Sequence, residues 1–149
     1  MRGVGLFQQS GLLTALRYYQ SGGDYVASIL VTGASRGIGR ATCGSLGRAG
    51  HRGLATMRDP SGAPELSAIA SAESLPIIVS AMDVDSDESV RRGVGDIVAQ
   101  RGPVDVLVNN AGIERRGSVE ELAIGELRAV LETNRSARLR RLFSLGVLR

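Results

Sequence analysis

Lysine is absent from the 149 residues: all 18 basic side chains are arginine. No ammonium side chain is therefore available to any site in the chain. Tryptophan is also missing and aromatics make up 3% of residues, so a core has to be assembled from Val, Leu, Ile and Ala, as suits a parallel sheet covered by helices. Cys43 is the only cysteine and His51 the only histidine, which excludes a disulfide within the chain and a zinc cluster. Cys43 reads as a small core residue and His51, between Gly50 and Arg52, as a solvated turn residue. A single cysteine is compatible with a reducing compartment. No apolar run approaches the length of a membrane span. The net charge is +3, but the arginines are strewn through the chain and massed only at its C-terminal end. Without a basic patch interleaved with aromatics, nucleic-acid binding has no sequence basis.

What is present is organised around Ile29-Leu30-Val31-Thr32-Gly33-Ala34-Ser35-Arg36-Gly37-Ile38-Gly39, an apolar strand-like run that empties into a glycine-spaced turn. Gly33 lets the strand reverse, Gly37 lets backbone come close to a pyrophosphate, and Gly39 lets the following helix pack against the sheet. That helix aims its free N–H groups and the positive end of its dipole at the anion. A second buried-strand run, Val104 to Val108, ends in Asn109-Asn110-Ala111-Gly112, and a third, Ile77 to Met82, ends in Asp83-Val84. A glycine trio alone is a weak signal, since glycine-rich turns have many uses. Thr-Gly-x-x-x-Gly-x-Gly, Asp-Val and Asn-Asn-Ala-Gly in this order and spacing resemble the short-chain dehydrogenases/reductases, over about Tyr25 to Asn134.

Periodicity places the rest. Tyr25 to Thr32 is expected as the first strand, and Gly37 to Ala49 as a helix with Ile38, Ala41, Thr42 and Leu46 toward the sheet. Leu54 to Met57 is the second strand, and Leu66, Ile69 and Ala70 mark a helix ending before Leu75-Pro76. A further helix from about Asp87 to Gln100 has Val90, Val94, Ile97 and Val98 as its buried stripe, with Asp85 or Ser86 as cap. Arg115-Arg116-Gly117 reads as a loop, and Glu121 to Thr133 carries Leu122, Leu127, Val130 and Leu131 at helical spacing. Four strands alternating with helices give an α/β, doubly wound, Rossmann-type parallel sheet, truncated after about four strands.

The resemblance implies a cofactor-binding set of Gly33, Ser35, Arg36, Gly37, Ile38, Gly39, Arg58, Asp83, Val84, Asn110, Ala111 and Gly112, and no metal. Asp83 would address the adenine ring; taken alone, an Asp after a strand is a turn or N-cap residue. The tip of the second strand, Met57-Arg58, lacks the acid that would bond the ribose hydroxyls of NAD. Arg58 and Arg36 offer two guanidinium groups for the 2′-phosphate of NADP, so NADP is preferred over NAD; both are otherwise ordinary surface arginines. Thr133-Asn134 matches the place of the family's catalytic asparagine, which holds a water in a proton relay. By its own residues Asn134 reads equally as a helix kink or a polar face.

Three regions result: an extension over 1–24, the NAD(P)-binding region over 25–134, and a basic, Arg-rich tail over 135–149 that departs from the family. The extension reads as an appended helix, a start assigned too far upstream, or, less in keeping with its composition, a targeting peptide. The family's catalytic Ser and Tyr-x-x-x-Lys pair are not in the chain; Tyr18, Tyr19 and Tyr25 fall at or before the start of the first strand, with no lysine to activate them. The expected function is hydride transfer between NADP(H) and an alcohol or carbonyl, with this chain holding the cofactor half and inactive alone. A non-catalytic dinucleotide-binding or dimer-forming module is the alternative, and a chain whose uncovered edge and helix faces prevent stable folding is a third reading. Cytoplasmic location and no membrane partner are expected, while pairing with a second copy is left open. Ala55-Thr56-Met57-Arg58-Asp59 is similar to the 17β-hydroxysteroid and retinol dehydrogenase subgroup, without fixing a substrate.

Overall fold

A computed structural model describes residues 25–115, 117, 120 and 122–136, the last two of them by backbone only. The 1–24 extension, Arg116, Glu121 and the tail beyond 136 lie outside the described residues. Strands β1 (Ser28–Thr32), β2 (Arg52–Met57), β3 (Ile77–Ala81) and β4 (Val106–Val108) alternate with helices α1 (Gly37–Arg48), α2 (Glu65–Ala72) and α3 (Asp87–Arg101). Helix α4 (Ile124–Leu131) follows β4 and runs into a π-helical turn over Glu132–Ser136.

The four strands form one parallel sheet in the order β3-β2-β1-β4. The registers are in phase, with Leu30 opposite Leu54 and Leu107, and Leu54 opposite Ile78. Alternation along β1 sends Ile29 and Val31 to one face, where Cys43 of α1 and Leu66 of α2 cover them. It sends Leu30 to the other face, against Leu54 and the α3 stripe Val90, Val94 and Ile97. Right-handed crossovers require this division, because the chain winds outward through β2 and β3 and returns to the far side of β1 for β4. All five β1 residues are buried, whereas β4, one of the two edge strands among the described residues, leaves Val106 exposed. Burying a Leu30 or Leu54 side chain contributes about 1.5–3 kcal/mol.

The core contains Cys43 as expected, and its thiol is pushed up to about 11 by burial. Several finer expectations are corrected. Ile38 is 79% exposed and Ala41 is exposed, while the buried face of α1 is Gly39, Cys43, Gly44 and Gly47. Helix and sheet approach so closely that a Cβ on Gly47 would sit 3.0 Å from Ile77, so the face is built from the smallest residues. Val98 is exposed, one position past the α3 stripe. The strands start later than hydrophobicity suggests: β1 at Ser28 and β4 at Val106. His51 is half-buried rather than solvated, with its Nδ1 enclosed and without a hydrogen-bond partner. Among the described residues no helix is long and apolar enough to cross a membrane.

The amino ends of the strands are closed by polar contacts. Asp105 accepts from the Tyr25 hydroxyl at 2.7 Å and from the Ser28 N–H at 2.8 Å. Arg52 donates to the Arg101 carbonyl at 3.2 Å. Tyr25 is therefore tied to the end of the sheet opposite the glycine turn.

Candidate dinucleotide site

The strand order reverses between β1 and β4, so a crevice opens at their carboxyl ends, the usual ligand position in such sheets. The fully buried Thr32 builds its floor: the hydroxyl accepts from the N–H groups of Asn110 (3.2 Å) and Ala111 (3.1 Å) and donates to the Val108 carbonyl at 3.4 Å. Asn110 answers with its side-chain amide, donating to the carbonyls of Thr32 (2.9 Å) and Gly33 (3.0 Å). These crossed bonds splice the glycine turn to the Asn-Asn-Ala-Gly turn.

The three motif glycines have separate tasks. Gly33 has φ +68°, and a Cβ there would lie 2.7 Å from Ala111 Cα, so the two turns touch through backbone. A Cβ on Gly39 would collide with the Asn110 amide and the Gly33 carbonyl. Gly37 has φ +57° with open space around it, which is where a ligand backbone or phosphate has room. Helix α1 starts here with Arg36 as N-cap, no side-chain cap and no acid in the first turn. Its first N–H groups have no intrahelical acceptor, and the positive end of its dipole faces the crevice uncompensated.

The turn also reaches over β2, since Ala34 N–H donates to the Thr56 carbonyl at 3.0 Å. Met57 ends β2 at 3% exposure, and Arg58 is the first exposed side chain beyond it. Arg36 is exposed as well, while Ser35 is half-buried. The nearest acid, Asp59, is turned into its own loop, accepting from the Ser61 N–H (2.9 Å) and hydroxyl (2.6 Å). Those bonds, first from the Ser61 side chain and then from the Gly62 and Ser61 backbone, hold its carboxyl below the usual carboxylate range.

Asp83, half-buried after β3, accepts from the Asp85 N–H at 3.0 Å while its own N–H donates to Ser89 Oγ at 2.9 Å. Val84 is buried in the α3-side core. At the far side Asn134 pairs with the Ile113 backbone, its Oδ1 accepting from the N–H (2.9 Å) and its Nδ2 donating to the carbonyl (3.0 Å). A Cβ on Gly112 would lie 2.9 Å from Asn134 Oδ1. Asn134 thus sits both in a distorted helical turn and at the crevice rim. The sequence offered Asp85 only as an alternative cap of α3, a place that Ser86 takes, and gave no role to Thr32, Ile113 or Thr133; of these three only Thr32, inside the Thr-Gly motif, carried a signal. Among the described residues no group of three or more His, Cys, Asp or Glu is placed to hold a metal ion.

An uncapped helix N-terminus beside a glycine turn, at the switch point of a parallel sheet, is the arrangement of the Rossmann-type α/β fold. The profile of the short chain dehydrogenase family matches residues 27–141, and the chain belongs to that family. The match takes in Arg135 to Arg141, which the sequence pattern sets apart as tail. Gluconate 5-dehydrogenase of Gluconobacter oxydans is 36% identical over 111 residues, 74% of this chain and 43% of that protein. The 3-oxoacyl-(acyl-carrier-protein) reductase FabG of Escherichia coli is 39% identical over 108 residues, 72% of this chain and 43% of its own length. Among solved structures, the NADPH-bound carbonyl reductase from chicken fatty liver matches with a TM-score of 0.75 and 28% identity, covering 83% of this chain and 51% of that one. A gluconate 5-dehydrogenase from Burkholderia cenocepacia with NADP and tartrate matches at 0.73 and 27%, covering 80% and 47%. The chain therefore spans about half the length of these relatives.

Proposed function

We propose that the chain is the NADP(H)-binding part of a short-chain oxidoreductase that moves hydride between NADP(H) and an alcohol or carbonyl. The observation that carries this reading is the start of α1, left without cap or acid, with Arg36 and Arg58 as exposed cations and no acid at the tip of β2. The residues present fit the dinucleotide. Open backbone at Gly37 and the first N–H groups of α1 receive the pyrophosphate, and the two guanidinium groups receive the 2′-phosphate bidentately. Asp83 and Val84 border the adenine, and Asn110, Ala111 and Gly112 border the nicotinamide half. Bound there, the nicotinamide supplies or accepts the hydride. Several structural neighbours carry NADP or NADPH, which supports the preference.

The proton-relay role of Asn134 belongs to the same proposal. Its two bonds to Ile113 fix the amide plane and therefore the direction of its remaining donor and acceptor capacity. The relatives' names span gluconate, a 3-oxoacyl-(acyl-carrier-protein) and a carbonyl, and no substrate is chosen from them. With no lysine and no Tyr-x-x-x-Lys in its 149 residues, the chain alone is expected to bind without turnover. General acid/base groups commonly supply ~10² to 10⁴ in rate. A cytoplasmic setting, in keeping with the free, buried Cys43, completes the proposal.

Titration of the 149-residue chain with NADPH and NADH, followed by cofactor fluorescence, tests it. Saturable binding favouring NADPH at least tenfold, with the preference abolished by Arg58→Glu, is the expected result. Absence of saturable binding by folded chain, or equal affinity for NADH, overturns it.

A further inference from the structure

Helix α4 buries none of its residues: Ile124 is 65%, Leu127 46% and Leu131 52% exposed. Apolar packing, which normally fixes a helix on its sheet, does not fix this one among the described residues. Yet the π-turn that follows it presents Asn134 to Ile113 in a two-bond register. Such turns leave the regular hydrogen-bond ladder, so a specific contact has to hold them.

The contact is made by Thr133. It is 5% exposed, and its hydroxyl donates to Asp85 Oδ2 at 2.9 Å, across 48 positions of sequence. Asp85 stands on a firm base. Its N–H is held by Asp83 Oδ1, the preceding Val84 is buried in the core, and the following Ser86 caps α3 by accepting from the Ser89 N–H. A hydroxyl donating to an ionised carboxylate is about twice as strong as a neutral pair.

We propose that Asp85 and Thr133 are positioning residues: their hydrogen bond ties the Asn134 turn to the loop carrying Asp83, and so sets the Asn134–Ile113 pairing. The chain Asp83–Asp85–Thr133–Asn134–Ile113 runs from the loop given to adenine to the rim given to nicotinamide. Dinucleotide bound at Asp83 therefore tightens the Asn134 turn. Only this last consequence rests on the cofactor reading.

Amide hydrogen exchange of the full chain, resolved at Ile113, tests the proposal in two arms. Without cofactor, Thr133→Val and Asp85→Ala each lower Ile113 protection about tenfold, the scale of one hydrogen bond to a charged group, and Thr133→Ser restores it. Protection of Leu30 and Ala55 in the central strands stays unchanged, which separates positioning from general loss of stability. Asp85 is exposed, so its variant keeps the test open if Thr133→Val fails to fold. With NADPH, the parent gains protection at Ile113 and Asp85→Ala does not. Unchanged Ile113 protection in both variants, or an equal fall at Leu30 and Ala55, overturns the proposal. So does an NADPH-bound parent whose gain at Ile113 persists in Asp85→Ala. A parent that does not bind NADPH overturns the cofactor reading, and the first arm alone then decides the positioning role.

Discussion

Helices α1 and α3 both begin beyond the carboxyl end of a strand, and they treat their N-termini in opposite ways. In α3 the Ser86 hydroxyl accepts from the Ser89 N–H, and Asp87 and Glu88 in the first turn complement the dipole. In α1 there is no side-chain cap, no first-turn acid, and a glycine at φ +57° in open space. An Ser-to-Ala change at a cap typically costs about 1 kcal/mol, so α1 forgoes stabilisation that α3 takes. A helix end left unsatisfied at a switch point is a ready-made site for an anion.

The comparison is broken most severely by filling the backbone contact beneath α1. Gly33→Ala combines a positive φ with a Cβ 2.7 Å from Ala111 Cα. The conformational cost of about 1–2 kcal/mol and an overpacking cost of about 1–3 kcal/mol together give a destabilisation on the order of 3 kcal/mol. Urea unfolding measures it. Gly37→Ala, with the same sign of φ but no neighbour within 4 Å, is expected to cost only the conformational part. Equal losses at the two positions would mean that the turns do not meet through backbone.

A pair of smaller changes separates stability from binding. Ser86→Ala is expected to lower stability by about 1 kcal/mol and to leave the NADPH dissociation constant unchanged. Ile38→Glu places a carboxylate in the first turn of α1 at a position 79% exposed. It should stabilise the apo chain by about 0.3–1 kcal/mol through the dipole, while weakening NADPH binding at least tenfold by occupying and repelling the anion site. Thermal unfolding with and without NADPH reads both. An Ile38→Glu chain that binds NADPH as well as the parent would show that the α1 terminus is not the phosphate site.

The same contrast explains what could be read from the sequence. Glycine spacing identified the turn, and strand runs ending in Asp83 and Asn109-Asn110 located the carboxyl edge, because backbone geometry at such turns restricts residue choice. The sheet-facing side of α1 was not legible from large apolar residues: its close approach selects Gly39, Cys43, Gly44 and Gly47, and Ile38 turns outward beside the crevice. Thr32 and Asn110 act across 78 positions, and Asp85 and Thr133 across 48, distances at which local periodicity carries no information. His51 looks solvated in sequence because it stands in a turn, whereas the fold encloses its Nδ1.

The smallest effect concerns the other end of α1. Arg48 in its last turn makes two bonds of 2.6 Å to the carboxylate of Glu73, at the end of α2. The Arg48 guanidinium holds the Glu73 carboxyl below its ordinary value. A carboxyl whose folded-state value is lowered contributes stability above its unfolded value, about 4.3 for Glu, and loses it as pH falls through the folded one. Both side chains are largely exposed, so screening keeps the contribution small despite the bidentate geometry. The urea midpoint of Glu73→Gln is therefore expected slightly below the parent at pH 7, to converge on it as pH falls through the folded-state value, and to lie nearer to it at high salt. A gap that does not narrow as pH falls would assign the loss to packing of the Glu73 stem rather than to its charge. The α1–α2 junction would then be held as the core is, by contact rather than by ionic pairing.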